Sequence, residues 1–251
     1  LVDSGIVVTV SLAVTSNYNG SDVSCYDYCD GSASVNVLGG SLPYTYLWDD
    51  LLLQTTATAI GLCAGTYTCT VTEANGCSAS SSVTITEPDI ISSITSVTDV
   101  SCFGMCDGSA LVSTTGGTFP YIYSWSNGQT TPAITNLCAG TYTCIVTDAN
   151  NCTDTIIVTV TEPSILSSTT SITDVTCNSG NDGSIIVTAT GGLLPYQYSL
   201  GAGFSQSIGT FTGLTAGAYS VDVTDATGCI VQSTVTIMEP DALSISVDST
   251  D

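Results

Sequence analysis

One ten-residue stretch occurs three times in this chain and constrains what the rest can fold into. Leu62-Cys63-Ala64-Gly65-Thr66-Tyr67-Thr68-Cys69-Thr70-Val71 returns as Leu137-Cys138-Ala139-Gly140-Thr141-Tyr142-Thr143-Cys144-Ile145-Val146. It returns again, without cysteines, as Leu214-Thr215-Ala216-Gly217-Ala218-Tyr219-Ser220-Val221-Asp222-Val223. An apolar residue closes one strand, a Gly-containing corner follows, and a Tyr opens the next. Tyr67, Cys69 and Val71 alternate with Thr68 and Thr70, the period of a half-buried strand.

The other landmarks keep the same spacing. Cys25, Cys102 and Cys177 correspond, as do Glu87-Pro88, Glu162-Pro163 and Glu239-Pro240. Between them each unit reads alike: an opening strand, a turn at Asp-Gly-Ser, a strand ending at Gly-Gly, a Pro-Tyr-x-Tyr strand, the corner, a turn before a Cys, and a last strand. Proline cannot donate to a ladder, so Glu-Pro marks the strand end and the joint. The repeats therefore predict domains at residues 1–88, 89–163 and 164–240. Residues 241–251 align with the opening strands at 89–99 and 164–174. They read as the first strand of a following repeat, or as a strand donated to a neighbour. About seven short strands per unit, no sustained helical period, and a Tyr at the corner (Tyr67, Tyr142, Tyr219) predict an all-β chain of tandem immunoglobulin-like β-sandwich repeats with tyrosine corners.

The charges narrow the function. All 22 formal charges are Asp or Glu, with no Lys, Arg or His. Phosphate recognition needs cations, which argues against nucleic acid and anionic membrane surfaces as partners. A His-based triad, a Lys Schiff base and a His metal site cannot be built from this chain. Salt, Ca²⁺ or mild acid is expected to stabilise it by relieving repulsion. No apolar run is long enough to form a membrane-spanning helix. Twelve cysteines with neither His nor a CxxC pair point to disulfides and an oxidising, extracellular setting.

The combined motif resembles the SprB repeat. It comprises Cys then Asp-Gly-Ser, Gly-Gly-x-x-Pro-Tyr-x-Tyr-x-Trp, Leu-x-Ala-Gly-x-Tyr, Val-Thr-(Asp/Glu)-Ala-x-x-Cys and Glu-Pro. The likeness covers nearly the whole chain three times. Unit three departs from it with Leu200 in place of Trp48 and Trp125, and units one and two carry extra cysteines. SprB repeats occur in very large cell-surface adhesins of gliding Bacteroidota. The resemblance implies a non-enzymatic, extracellular, adhesive or filamentous role, secreted or at the cell surface.

Unit three holds only Cys177 and Cys229, so the simplest pairing joins these two, with Cys25–Cys77 and Cys102–Cys152 by analogy. Each bridge closes a loop of about 50 residues, worth roughly 4 kcal/mol in the chain-entropy view. Further bridges are expected among Cys29, Cys63 and Cys69 and among Cys106, Cys138 and Cys144. Cys29 is expected to pair with Cys63 or Cys69.

Four carboxylate positions recur in all three units: Asp22/Asp99/Asp174, Asp30/Asp107/Asp182, Glu73/Asp148/Asp225 and Glu87/Glu162/Glu239. Positions fixed by a repeat suit turns and joints better than catalysis, so no catalytic residue and no cofactor is expected. A structural Ca²⁺ is the one candidate ion, with Asp30 and Glu73, Asp107 and Asp148, and Asp182 and Asp225 as its oxygen ligands. The plainer alternative is that these are solvated turn acids. Tyr44, Tyr46 and Trp48 suit core packing better than a sugar platform. Asn19 and Asn151 sit in N-x-Ser/Thr patterns, and Thr155 and Ser249 in Asp-Ser/Thr patterns, as glycosylation candidates. The expected partners are neighbouring repeats, other copies of the chain or surface glycans. The rival readings are an array of carbohydrate-binding modules, which predicts an exposed aromatic cluster in each unit, and an accessory segment of a larger secreted enzyme.

Overall fold

The computed structural model describes residues 8–201, 203 and 205–245, and among them there is no helix. Eighteen strands fall into three sets of six. The first set is β1 (Thr9–Val14), β2 (Gly31–Leu38), β3 (Thr45–Trp48), β4 (Thr58–Leu62), β5 (Gly65–Thr72) and β6 (Ser78–Ile85). The second is β7 (Ser92–Thr98), β8 (Gly108–Thr115), β9 (Ile122–Trp125), β10 (Ala133–Leu137), β11 (Gly140–Thr147) and β12 (Thr153–Val160). The third is β13 (Ser167–Thr173), β14 (Gly183–Thr190), β15 (Gln197–Leu200), β16 (Thr210–Leu214), β17 (Gly217–Thr224) and β18 (Ile230–Ile237). The expected boundaries at 88 and 163 fall between β6 and β7 and between β12 and β13.

Each set makes two three-stranded sheets. In the first these are β1-β2-β4 and β3-β5-β6, and the other two sets repeat the order. The pairing is antiparallel throughout the first and third sets. This is the immunoglobulin arrangement of strands A, B and E facing C, F and G. The sequence predicts about seven strands per unit; among the described residues each set has six, and none of them takes the place of strand D. Only residues 49–57 join β3 to β4, and a turn at Asp50, with Leu53 N–H donating to its carbonyl, consumes them.

Register fixes which loops share an end. Gly31, opening β2, pairs with Leu62, closing β4. Gly65, opening β5, pairs with Ile85, closing β6. The start of β2 and the β4–β5 corner therefore lie at one end of the sandwich, and the β5–β6 turn at the other. Eight residues at about 3.3 Å each separate these ends by about 26 Å. The third set keeps this register, with Gly183 opposite Leu214 and Gly217 opposite Ile237.

Alternation along the strands builds the cores. In the first set Val23, Ala33, Trp48, Leu62, Cys69, Val71 and Ile85 are buried together, with Tyr44 and Tyr46 packed against them. Tyr44 and Tyr46 thus take the core role rather than forming a sugar platform. In the third set Val175, Ile185, Val187, Tyr198, Val221, Val223 and Ile237 form the cluster. There Tyr198 sinks deeper than Tyr46, beside the smaller Leu200.

By compactness the chain divides into two units. One is Leu1–Ser96, Leu111–Ala133 and Tyr142–Val158; the other is Val97–Ala110, Ile134–Thr141 and Thr159–Asp251. Every disulfide lies within one unit. Residues 241–245 form no strand, and 246–251, which hold most of the expected opening strand, lie outside the described residues.

The Gly-Gly turn after the second strand of a set has a steric reason. A Cβ on Gly191 would sit 1.9 Å from the Ile165 carbonyl oxygen, at φ +76°. Gly128 has a similar φ, +85°, but open space around it. Gly191→Ala should therefore cost about 3 kcal/mol and Gly128→Ala about 1. Equal urea midpoints for the two variants would refute the close-approach argument.

Candidate functional site

The most elaborated places on this molecule are the joints between successive strand sets. In the first unit, Cys25 bonds to Cys152, 127 residues away. In the second, Cys102 bonds to Cys229, again 127 residues away. The expected pairs Cys25–Cys77, Cys102–Cys152 and Cys177–Cys229 are not formed, and the register explains why. Cys25 precedes β2 at one end of its sandwich, while Cys77 follows the β5–β6 turn at the other. A disulfide needs Cα atoms within about 7 Å. The β5–β6 turn of one set instead meets the pre-β2 loop of the set before it.

Both joints are built alike. Asn150 Nδ2 donates to the carbonyls of Ser24 (3.1 Å) and Tyr18 (3.2 Å), and Asn19 Nδ2 donates to Asn150 Oδ1 at 2.8 Å. In the second joint Thr227 Oγ1 donates to the Ser101 carbonyl at 3.0 Å. The Cys152 and Cys229 sulfurs pack 3.3 Å from the Ser24 and Ser101 carbonyls, respectively. Two further bridges, Cys29–Cys63 and Cys106–Cys138, tie each pre-β2 loop to its own corner. Cys63, rather than Cys69, is thus the partner of Cys29.

The remaining cysteines differ in kind. Cys69 and Cys144 are buried, and Cys77 and Cys177 are exposed. Cys69 lies opposite Trp48 and Cys144 opposite Trp125 in their ladders. Burial pushes both thiols up, so they resist ionisation and reaction. Two residues before each stands the corner tyrosine. Tyr67 donates to the Cys63 carbonyl (3.1 Å) and Tyr219 to that of Thr215 (2.9 Å). Tyr142 occupies the same position on β11.

The recurrent carboxylates accept backbone hydrogen bonds at turns. Asp22, Asp99 and Asp174 accept from the N–H groups of Thr86, Thr161 and Met238 at the joint. Asp30, Asp107 and Asp182 accept from Ser24, Ser101 and Thr176. Glu87, Glu162 and Glu239 accept from Asp27, Gly104 and Ser179. Asp148 accepts from Thr118, Asn150 and Cys152, and Asp225 from Leu193, Thr227 and Cys229. Glu73 makes the matching bond to Ser41 N–H at 2.6 Å. Asp30 and Glu73 therefore sit at opposite ends of one sandwich and cannot share an ion, and the same register separates Asp182 from Asp225. Among the described residues no three His, Cys, Asp or Glu side chains gather as a metal site.

These bonds set the acid response. The side-chain bond from Ser101 holds Asp107 below the usual carboxylate value, and that from Thr176 does the same for Asp182. The Thr161 N–H lowers Asp99. Burial acts most strongly on Asp225 and pushes it up, but the bonds led by Leu193 N–H outweigh it and leave it lowered. A carboxylate lowered in the folded state favours folding above its unfolded value near 3.9, and that contribution is lost as pH falls toward its folded value. Mild acid should therefore destabilise the chain, the reverse of what charge repulsion alone implied. Calorimetry should show the melting temperature falling steadily from about pH 5 to pH 3; a rise would contradict these bonds.

A cavity of about 340 Å³ lies beside the first joint, lined by Tyr26, Tyr28, Ile90, Asn151 and Asp154 among others. Tyr26 and Tyr28 are 49% and 58% exposed. Their counterparts Phe103 and Met105 are each 52% exposed, while the third set has Asn178 and Gly180. The exposed apolar pair is thus absent from one set, unlike the cluster in each unit that a carbohydrate-module array predicts. The Cys-Tyr-Asp-Tyr-Cys spelling, an apolar pair between two cysteines, was the signal for this loop. Asn19, Asn151 and Thr155 are exposed, and Ser249 lies outside the described residues.

The SprB repeat matches at residues 17–52, 94–130 and 169–203, each match running through the second and third strands of a set. The chain thus carries three matches to the SprB repeat. No curated protein matches it. Among solved structures, it is similar to the N-terminal eight Ig domains of Down Syndrome Cell Adhesion Molecule, with 11% identity and a TM-score of 0.39 over 94% of this chain. It spans 46% of the length of that structure. It is also similar to a tetra-tandem repeat in the extending region of a large adhesion protein, with 13% identity and a TM-score of 0.34, covering 94% of this chain and 75% of that one.

Proposed function

We propose that this chain is a non-enzymatic structural and adhesive segment that works outside the cell, secreted or on the surface. The observation that carries the reading is the disulfide at each joint. A bridge from one repeat to the next contributes little to chemistry and much to resisting separation under pull. It also requires an oxidising compartment to form and persist. The recurrent carboxylates support the same reading, since each is occupied in holding a turn. Antibodies raised against the folded chain should label intact, unpermeabilised cells of the source organism. Labelling that appears only after lysis would overturn the proposal.

A second reading is favoured by Tyr26 and Tyr28 beside the first cavity: this repeat also stacks a surface sugar. Exposed tyrosines offer apolar faces with a polar tip, and Asp154 and Asn151 supply hydrogen-bonding groups beside them. Tyr26→Ala with Tyr28→Ala should then abolish retention on immobilised glycans while leaving the melting temperature within a few degrees. Retention unchanged by the double substitution would remove this reading.

A further inference from the structure

The two exposed thiols, Cys77 and Cys177, occupy the two positions that bond in the joint the chain builds twice within itself. In both finished joints the pre-β2 cysteine of one set bonds to the post-turn cysteine of the next. The first set has a post-turn cysteine, Cys77, and the third has a pre-β2 cysteine, Cys177; both are free and exposed. We propose that Cys177 of one copy of this chain and Cys77 of a second copy form the same joint, linking copies head to tail through a disulfide. The inference stands on the geometry of the finished joints and not on the adhesive reading.

Both halves are already shaped. At the first set's turn, Glu73 N–H donates to the Cys77 carbonyl at 3.0 Å, as Asp148 does to Cys152 (3.0 Å) and Asp225 to Cys229 (2.9 Å). Asn75 takes the place of Asn150. Its Nδ2 donates to Ser41 Oγ at 3.2 Å, as Asn150 Nδ2 donates to Thr118 Oγ1 at 3.1 Å. At the third set's pre-strand loop, Thr176 N–H donates to Asp182 at 3.0 Å and Ser179 N–H to Glu239 at 2.8 Å. Those bonds repeat Ser24 to Asp30 and Asp27 to Glu87, which frame the finished joint. A concavity lined by Asp174, Val175, Thr176, Met238, Glu239 and Pro240 stands open beside Cys177. The Thr176 carbonyl stands where those of Ser24 and Ser101 accept, so Asn75 of the second copy would donate to it. One difference remains: Asn181 and Thr215 replace the pair that staples the other two loops. Such a contact is heterologous and does not close on itself, so it extends.

The chemistry is thiol–disulfide exchange, with a small-molecule disulfide as oxidant. The Cys177 thiolate attacks the oxidant, forms a mixed disulfide and releases one thiol. The Cys77 thiolate of the second copy then attacks the Cys177 sulfur and expels the other thiol. Two protein thiols become one disulfide, and the oxidant takes up two electrons and two protons as two thiols. Cys69 and Cys144 take no part because they are buried.

The test uses the whole chain with glutathione disulfide. A ladder of covalent multiples should appear on a non-reducing gel and collapse with reductant. Peptide mapping, with a protease that cuts at glutamate or aromatic residues because Lys and Arg are absent, should recover Cys177 joined to Cys77. Cys77→Ser and Cys177→Ser should each remain single copies, and their mixture should give a two-copy species and nothing longer. Asn75→Ala should slow the ladder several-fold with both thiols still titratable. The proposal is overturned if either serine variant couples alone as fast as the mixture, or if both thiols end as glutathione adducts without a ladder. It is equally overturned if mapping finds Cys77–Cys77, Cys177–Cys177, or Cys77–Cys177 within one copy.

Discussion

Stretched by its ends with its bridges intact, the segment between Cys25 and Cys229 should reach about 80 Å and stop, whereas after reduction it should reach about 700 Å. The limits follow from connectivity. Reduced, the segment is 229 − 25 = 204 residues long, at about 3.5 Å each. Oxidised, the shortest covalent path crosses from Cys25 to Cys152, runs back along the chain to Cys138, crosses to Cys106, runs back again to Cys102, and crosses to Cys229. The two runs span 152 − 138 = 14 and 106 − 102 = 4 positions, at about 3.5 Å each. These short runs and three bridges bear the tension however completely the sandwiches unfold. Removing one bridge sharpens the test. With Cys106→Ser the path from Cys152 to Cys102 becomes 152 − 102 = 50 residues, and the limit rises to about 190 Å. Bridges confined within single repeats would also give about 190 Å, but then Cys106→Ser would change nothing. Single-molecule force spectroscopy reads contour length directly, and a limit insensitive to Cys106→Ser would refute the interlocked pairing.

Much of this fold was legible because strand period and repeat spacing are local. Tyr67, Cys69 and Val71 alternate, and the structure buries Cys69 and Val71 with Tyr67 packed against them. The disulfides were not legible in that way. A pairing within each repeat and one that skips to the next use the same cysteines, and unit three, with two, favoured the first. The deciding fact is that the start of strand B and the turn from F to G lie at opposite ends of an immunoglobulin sandwich. That is a property of topology, not of spacing. It was available once the tyrosine corner had identified β5 as strand F. The hydrogen bonds of the acids were not legible for a related reason. Summed charge suggests repulsion, but Asp107 and Asp182 answer first to the hydroxyl and N–H beside them.

Two motifs that are far apart in the sequence turn out to be one device. A Cβ on Gly192 would lie 2.6 Å from Asp225 Oδ2, as one on Gly117 would lie 2.8 Å from Asp148 Oδ2 and one on Gly40 2.8 Å from Glu73 Oε2. The second glycine of each Gly-Gly pair is small because the turn carboxylate packs against it. That carboxylate in turn holds the strand carrying the post-turn cysteine.

Replacing Asp225 by Ala should therefore be the most damaging single polar change in the third set. The side chain is 5% exposed and accepts from three backbone N–H groups and the Thr227 hydroxyl. Alanine leaves those donors without an acceptor in a place water reaches poorly, at about 1–3 kcal/mol for each one left unpaired. With partial relaxation the loss should be about 5 kcal/mol, or some 20 °C or more in melting temperature for a domain of this size. Glu73→Ala is the control, because Glu73 makes one such bond and should cost about 1 kcal/mol. A second readout separates positioning from bulk stability. Asp225 fixes the N–H of Cys229 itself, so Asp225→Ala should shift the Cys102–Cys229 bridge toward reduction in a glutathione redox titration. The Cys29–Cys63 bridge, in the other compact unit, should hold its potential. If Asp225→Ala and Glu73→Ala melt together, or if both bridges shift alike, the carboxylate does not lock the joint.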